Sequence, residues 1–417
     1  MNSEKSRDFI QNILITGLFV LAVILFVQTQ LYNLGLDAAS LAPSPVPADN
    51  GAAVQTPVLS APVRVAVTGV YGRYGSLTLS TSSETFDNPL GRSLAEALGS
   101  AQSFSLCGDA AFFAALDAPS IYYDFLEPLP LSVLSGLLNG AETVSEELSA
   151  RCLVISGQPG GTALLYLWNG SGAYYRCPTA LSSSSVEQVV GQYELGGAYF
   201  ALDLSAESLR PNSLFLEEPP SLPVLSAGDP LSDTDWLLTA LGFNPRSRTR
   251  YLDASGTETI MDGDRSLRIL ANKTVYYQSG SEPTLTIEAE DEIPTLREAA
   301  LGAGGILNGL TGSVGGSASL YLQSIRQTGA VTSLRFGYQS GGIPIRISGG
   351  SAAEITLTGT SVTALTLRLH SYGLTEEVSM LLPLRQALAV AAAQPGAELS
   401  IAYVDRGGDC RANWIAD

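Results

Sequence analysis

An α+β fold, made of an N-terminal transmembrane helix followed by two or three extracytoplasmic domains of antiparallel sheets with packed helices, is what this sequence predicts. Three observations carry it. One long uncharged apolar run stands near the N-terminus; alternating strand patterns broken by Gly, Asn and Pro turns recur along the rest; and a few helical spacings lie among them. A chain of 417 residues exceeds one average domain, and 45% hydrophobic against 15% charged residues is a globular composition.

Ile13 to Val27 (ILITGLFVLAVILFV) carries no charge and covers about 22 Å as a helix. With its interfacial flanks, 9–32, it reaches about 36 Å, enough for a hydrocarbon core of about 30 Å. Lys5 and Arg7 precede it, and no Lys or Arg follows before Arg64, which places residues 1–8 in the cytoplasm and the bulk of the chain outside. A cleaved signal peptide is the competing reading, but Gln28, Thr29, Gln30 and Tyr32 separate the run from the small residues Ala38, Ala39 and Ser40, which favours an uncleaved anchor. Thr16, Gly17 and Ala22 are the small interior residues through which another helix can approach.

Residues 33–62 form a Pro- and Ala-rich stalk. Residues 63–226 mix a strand at 64–70, a helix at 91–101, a strand at 121–125, a helix at 130–138 and a three-strand meander over 152–177, giving an N-terminal α+β domain. Four prolines between Leu214 and Pro230 suggest a linker. Residues 231–293 are a hairpin-rich middle domain, opened by a short helix capped by Asp233 or Thr234. Residues 294–417 form a second α+β domain. It starts with an LREAALG helix and a glycine-rich connection, continues through strands at 334–338, 343–348, 354–358 and 362–370 and a helix at 383–393, and closes with a strand at 398–404.

Forty acidic against twenty-two basic residues give a net charge of -18, which excludes nucleic acid as a natural partner. Catalytic signals are sparse. The single histidine, His370, ends a strand pattern, no GxSxG or HExxH motif is present, and no cofactor or metal is implied. Asp233 with Asp235, Asp262 with Asp264, and the run Glu288 to Glu292 sit at helix starts and turns, where carboxylates satisfy backbone donors. Cys107, Cys152, Cys177 and Cys410 allow two disulfides in any of three connectivities, or four reduced thiols.

Two hairpins attract attention. In GDRSLRILANKTVYYQSG (263–280) a three-residue loop, Ala271 to Lys273, puts Leu267, Ile269, Val275 and Tyr277 on one face and pairs Arg268 with Tyr276 on the other, a cation–π geometry available to a partner. In LRFGYQSGGIPIRIS a four-residue loop, Gln339 to Gly342, sets Arg335 opposite Arg346. Two like charges in that register require an anion, from a neighbouring strand or from a partner protein.

The cytoplasmic tail with its helix (KSRDFIQNILITGLFVLAVILFVQTQLY), the text FNPRSRTRYLDASGTETIMDGDRSLRILANKTVYY and the later LRFGYQSGGIPIRIS together resemble the YycH/YycI family, on its longer, YycH-like side. The resemblance implies a single-pass membrane protein of Gram-positive bacteria, without catalytic residues, that regulates the sensor kinase of the WalK/WalR system. The partners it implies are a sensor histidine kinase, a YycI-like co-regulator and the lipid bilayer. An envelope scaffold that binds cell wall is the alternative, and a cell-wall hydrolase acting through the acidic clusters is a third.

Overall fold

Strand signals begin where the stalk ends. The computed structural model describes residues 62–77, 88–101, 103–139, 144, 147–204, 208–228, 234–246, 249–311, 315–394 and 396–416, all within one compact unit, Gln55–Asp417. The expected tail, the transmembrane helix with Thr16, Gly17 and Ala22, the stalk apart from its last residue, and Asp233 lie outside the described residues. Among the described residues no helix is long and apolar enough to cross a membrane.

The first sheet has seven strands: β1 (Arg64–Gly69), β2 (Gly72–Ser76), β3 (Ser105–Cys107), β4 (Ser120–Pro130), β5 (Ser149–Ser156), β6 (Thr162–Trp168) and β7 (Tyr174–Ser182). Their order is 2-1-4-5-6-7-3, and every pairing is antiparallel. Four helices accompany it: α1 (Pro89–Ser100), α2 (Asp109–Asp117), α3 (Leu131–Asn139) and α4 (Ser183–Val190). Helix α1 starts where Asn88 accepts a hydrogen bond from the Gly91 amide at 3.0 Å, with Pro89 at the first position, and it buries Leu90, Leu94, Ala97 and Leu98 on one stripe. Ser182 caps α4 in the same way, accepting from the Ser185 amide at 3.1 Å. Packing of α2 and α4 against β4, β5 and β6 explains why the run Cys152 to Ser156 is buried at every position rather than alternating.

A short ribbon, β8 (Ala198–Phe200) with β9 (Leu214–Leu216), leads into the second sheet. That sheet takes β10 (Pro223–Gly228), β11 (Arg250–Leu252), β12 (Glu258–Asp262), β13 (Arg265–Ile269), β14 (Thr274–Gln278), β15 (Ser319–Thr328), β16 (Val331–Ser340), β17 (Ile343–Arg346), β18 (Ala353–Thr358), β19 (Ser361–Arg368), β20 (Ser371–Val378), β21 (Leu399–Asp405) and β22 (Asp409–Ala416). Helices α5 (Asp235–Ala240), α6 (Leu296–Thr311) and α7 (Leu384–Ala391) interrupt it.

Several expectations change here. The proline-rich stretch 214–230 is not a bare linker: it supplies β9 and β10, and β10 pairs with β20 and β22. The hairpins of 231–293 and the strands of 294–417 share one sheet, because β14 pairs with β19 over Thr274 to Gln278. The first part of the glycine-rich passage, through Thr311, continues the helix rather than forming a flexible connection. Thr295 and Glu298 form a reciprocal capping box at its start, at 2.9 and 3.2 Å, and Ala299, Ala300, Ala303, Leu307 and Leu310 bury one face. Gly302 is required there, since a Cβ would meet the Ile287 side chain at 2.5 Å.

The hairpin of β13 and β14 has the expected register: Leu267 faces Tyr277, Arg268 faces Tyr276 and Ile269 faces Val275. Lys273 takes the left-handed position (φ 64) that a three-residue loop needs, and Asn272 accepts from the Thr274 amide. The β16–β17 hairpin does not have the expected register. Gly341 and Gly342, at φ 55 and 80, make a two-residue turn, so Tyr338 faces Ile345 and Ser340 faces Ile343. The shift is by an even number of residues, so the apolar faces stay as expected, but Arg335 no longer opposes Arg346. Arg335 lies opposite Glu354 of β18, and Arg346 opposite Val404 of β21.

All four cysteines are free thiols, the second of the two states the sequence leaves open. Sheet geometry gives the reason. Cys152 and Cys177 stand on strands separated by β6, Cys107 lies opposite Tyr174 rather than Cys177, and Cys410 belongs to the other sheet. Strands two apart are separated by about 9–10 Å, beyond disulfide reach. Burial holds the Cys152 thiol well above its ordinary pKa and pushes Cys410 up to about 12. An Ellman titration is therefore expected to label the half-buried Cys107 in the native protein and all four thiols only after denaturation. Rapid native labelling of more than one thiol would contradict this placement.

Candidate functional site

One row of side chains crosses the first sheet on a single face: Arg64 opposite Asp124, Asp124 opposite Cys152, Cys152 opposite Trp168, and Trp168 opposite Tyr174. Asp124 is 2% exposed, a charge inside the otherwise apolar run IYYDF. It survives there because Arg64 approaches at 3.4 Å and Arg151 at 3.6 Å, while the Leu126 amide donates to it at 2.7 Å. That last bond shapes a bulge in β4. Leu126 adopts φ 67, pairing with β5 breaks between Asp124 and Leu129, and Glu127 and Pro128 are thrown out of the sheet plane.

Glu398, at the entrance to β21, reaches across from the second sheet. It accepts from Arg64 at 2.7 Å, from Arg151, and from Arg210 at 3.3 Å. The Arg151 and Arg210 guanidiniums also lie over the Trp168 ring, 5.4 and 5.7 Å from its centre. Burial alone would push the Glu398 carboxyl up, but Arg64 and Arg151, with Arg210 behind them, hold it down at about 2. Asp124 and Glu398 in turn outweigh the burial that would lower Arg64 and Arg151, and raise both above the ordinary guanidinium value. This five-residue network, largely buried apart from the partly exposed Arg210, joins the two sheets.

Directly beside it is a cleft of about 910 Å³. The first sheet contributes Arg64, Arg151 and the Glu127 bulge, and the second contributes Arg326, Arg335 and Arg346. Tyr321 and Gln323 form part of the wall. Tyr321 stands opposite Gly337, where a Cβ would come within 2.7 Å of its ring, so the glycine leaves room for the ring against the strand. Arg335 and Arg346, singled out in the sequence as needing an anion, thus meet in one cavity although they are not paired. Sequence reasoning missed Arg64, Arg151, Arg326 and Glu398. The one local signal was Asp124, a carboxylate in a strand of bulky apolar residues.

Arg268 and Tyr276 lie elsewhere, on the exposed face of β13 and β14. Arg265 sits over the Phe243 ring, but Arg268 makes no such contact with Tyr276 among the described residues. Its charge instead helps lower the Asp253 carboxyl, whose main partners are the Ser255 hydroxyl and the Thr257 amide. Of the acidic clusters, the pair Asp262 and Asp264 is engaged locally: Asp262 pairs with Arg265, and Asp264 accepts from the Ser281 amide at 2.6 Å. His370 contacts Asp405 at 3.1 Å, stacks on Tyr372, and Tyr372 donates to the same carboxylate at 2.8 Å. Among the described residues no group of His, Cys, Asp and Glu is placed to hold a metal ion.

No family model matches the chain, and no curated protein matches it by sequence. Among solved structures it is similar to the crystal structure of YycH from Bacillus subtilis, at 13% identity and a TM-score of 0.52, over 88% of this chain and 95% of that one. A crystal structure of an uncharacterized protein from Eubacterium rectale aligns over 47% of this chain and 76% of that one, at 12% identity and a TM-score of 0.28. With a match over 88% of this chain and 95% of the Bacillus protein, the chain has a YycH-like fold.

Proposed function

We propose that the chain is a non-enzymatic, single-pass membrane regulator that contacts a WalK-like sensor histidine kinase and adjusts two-component signalling for cell-wall homeostasis. The observation that carries this reading is the YycH-like fold. The uncharged run Ile13 to Val27, with Lys5 and Arg7 before it, supports an N-terminus in the cytoplasm and sheets outside the cell. In this reading Thr16, Gly17 and Ala22 line the side of the membrane helix that packs on kinase helices, and the outer sheets, with a YycI-like co-regulator, bias a two-state equilibrium of that packing. Arg268 and Tyr276 offer an exposed contact on the second sheet.

Affinity purification of the full-length chain from its native membranes tests the proposal. A sensor histidine kinase is expected to co-purify, and replacing residues 9–32 by an unrelated span of equal length is expected to abolish regulation while the chain stays in the membrane. Recovery of no kinase would overturn it.

A further inference from the structure

We propose that the cleft between the two sheets binds a small organic anion carrying two or more phosphate or carboxylate groups, gripped by Arg326, Arg335 and Arg346. The site is independent of the kinase contact and needs no membrane helix.

Charge is the first support. The chain as a whole carries -18, yet this cavity is lined by five arginines against two glutamates, Glu127 and Glu398. A local reversal of sign inside a concave wall concentrates anions there, with Arg326, Arg335 and Arg346 exposed to the solvent in it. Register is the second. On β15 and β16, Arg335 lies opposite Ser324 and Arg326 opposite Ser333, so the two arginines are diagonal neighbours on one face, about 7–8 Å apart at the backbone. Neither guanidinium has an ion pair or hydrogen bond among the described residues, since Glu354, the residue opposite Arg335, is engaged by Arg368 at 3.4 Å. Two like charges in that position repel unless something negative lies between them.

The inner end of the cavity adds a third. Arg151 lines it with a buried Nε that lacks a hydrogen-bond acceptor, its nearest carboxylate oxygen standing at 3.6 Å. Tyr321, Gln323 and Ser351 supply neutral donors around the cationic groups. Guanidinium forks match phosphate and carboxylate oxygens alike. The volume, about 910 Å³ between two walls, is that of a small-molecule site.

The test is calorimetric titration of the full-length chain in detergent with inorganic pyrophosphate and, separately, with citrate, at fixed ionic strength. Saturable binding of either probe is expected, and the stronger of the two identifies phosphate or carboxylate as the preferred group. The double variant R326A/R335A is expected to bind about tenfold more weakly or worse, because two charge-assisted contacts are lost. R268A, outside the cleft, is expected to bind as the parent does, and thermal melts of each variant establish that it is folded. No saturable binding of either probe, or equal binding by folded R326A/R335A, would overturn the proposal. So would binding of a poly-glutamate peptide alone, since that would make the cleft a protein-docking groove.

Discussion

Glu398→Ala is expected to lower the unfolding free energy by about 3–5 kcal/mol, because it leaves Arg64 and Arg151 buried with only Asp124 between them. Urea denaturation measures it directly. Arg210→Ala provides the comparison: its side chain is 34% exposed, solvent screens it, and its loss is expected to cost about 1 kcal/mol or less. Equal losses in the two variants would mean that Glu398 is not the buried hub of the network.

The same residue makes stability depend on pH. The folded-state pKa of Glu398 is depressed from 4.5 to about 2, so its contribution is fully present above the unfolded value and disappears as pH falls through the folded one. About 3 kcal/mol is expected to be lost between pH 4.5 and pH 2. Asp405, held at about 2 first by its hydrogen bond with His370, adds a loss of the same sign over a narrower window, from its ordinary 3.8 down to about 2. In Glu398→Gln the Glu398 part of that slope should vanish, leaving the Asp405 part.

Gly302→Val is expected to destabilise the protein by about 1–3 kcal/mol, because the new side chain would overlap Ile287, whose Cβ lies 2.5 Å from the position of a Cβ at residue 302. The sign is the informative part. Replacing a glycine inside an exposed helix by alanine stabilises it by up to about 1 kcal/mol, so a stabilised Gly302→Ala together with a neutral Gly302→Val would show that α6 does not approach Ile287 this closely. Gly305, where an added Cβ would meet nothing within 4 Å outside the helix's own backbone, serves as the control at which alanine is expected to stabilise.

How far the sequence reaches is clearest in the two hairpins. In the hairpin of β13 and β14, alternation and a three-residue turn with Lys273 at positive φ leave one register that keeps the apolar face intact, and that register is observed. In the hairpin of β16 and β17, loops of two and four residues preserve the same faces, so alternation alone does not choose between them. Only the paired glycines at positive φ do, and the partners of Arg335 and Arg346 change with that choice. The second half of helix α6 was obscured for a different reason: its glycines lower local helix propensity, and what holds it is packing against Ile287 and the sheet, which no local window contains. The candidate site was legible only in part. Arg335 and Arg346 were singled out on a direct pairing that the structure does not show, although both line the cleft, and the hub of the network pairs Arg64 with Glu398, 334 residues apart, a contact set by topology rather than by spacing.

Reconstitution of the full-length chain with a WalK-like kinase in lipid nanodiscs, followed by measurement of kinase autophosphorylation, tests the central claim most directly. The parent chain is expected to change the autophosphorylation rate, and a chain whose residues 9–32 are replaced by an unrelated span is expected to leave it at the level of the kinase alone. An autophosphorylation rate that is the same with the parent chain, the helix-swapped chain and no added chain would contradict it.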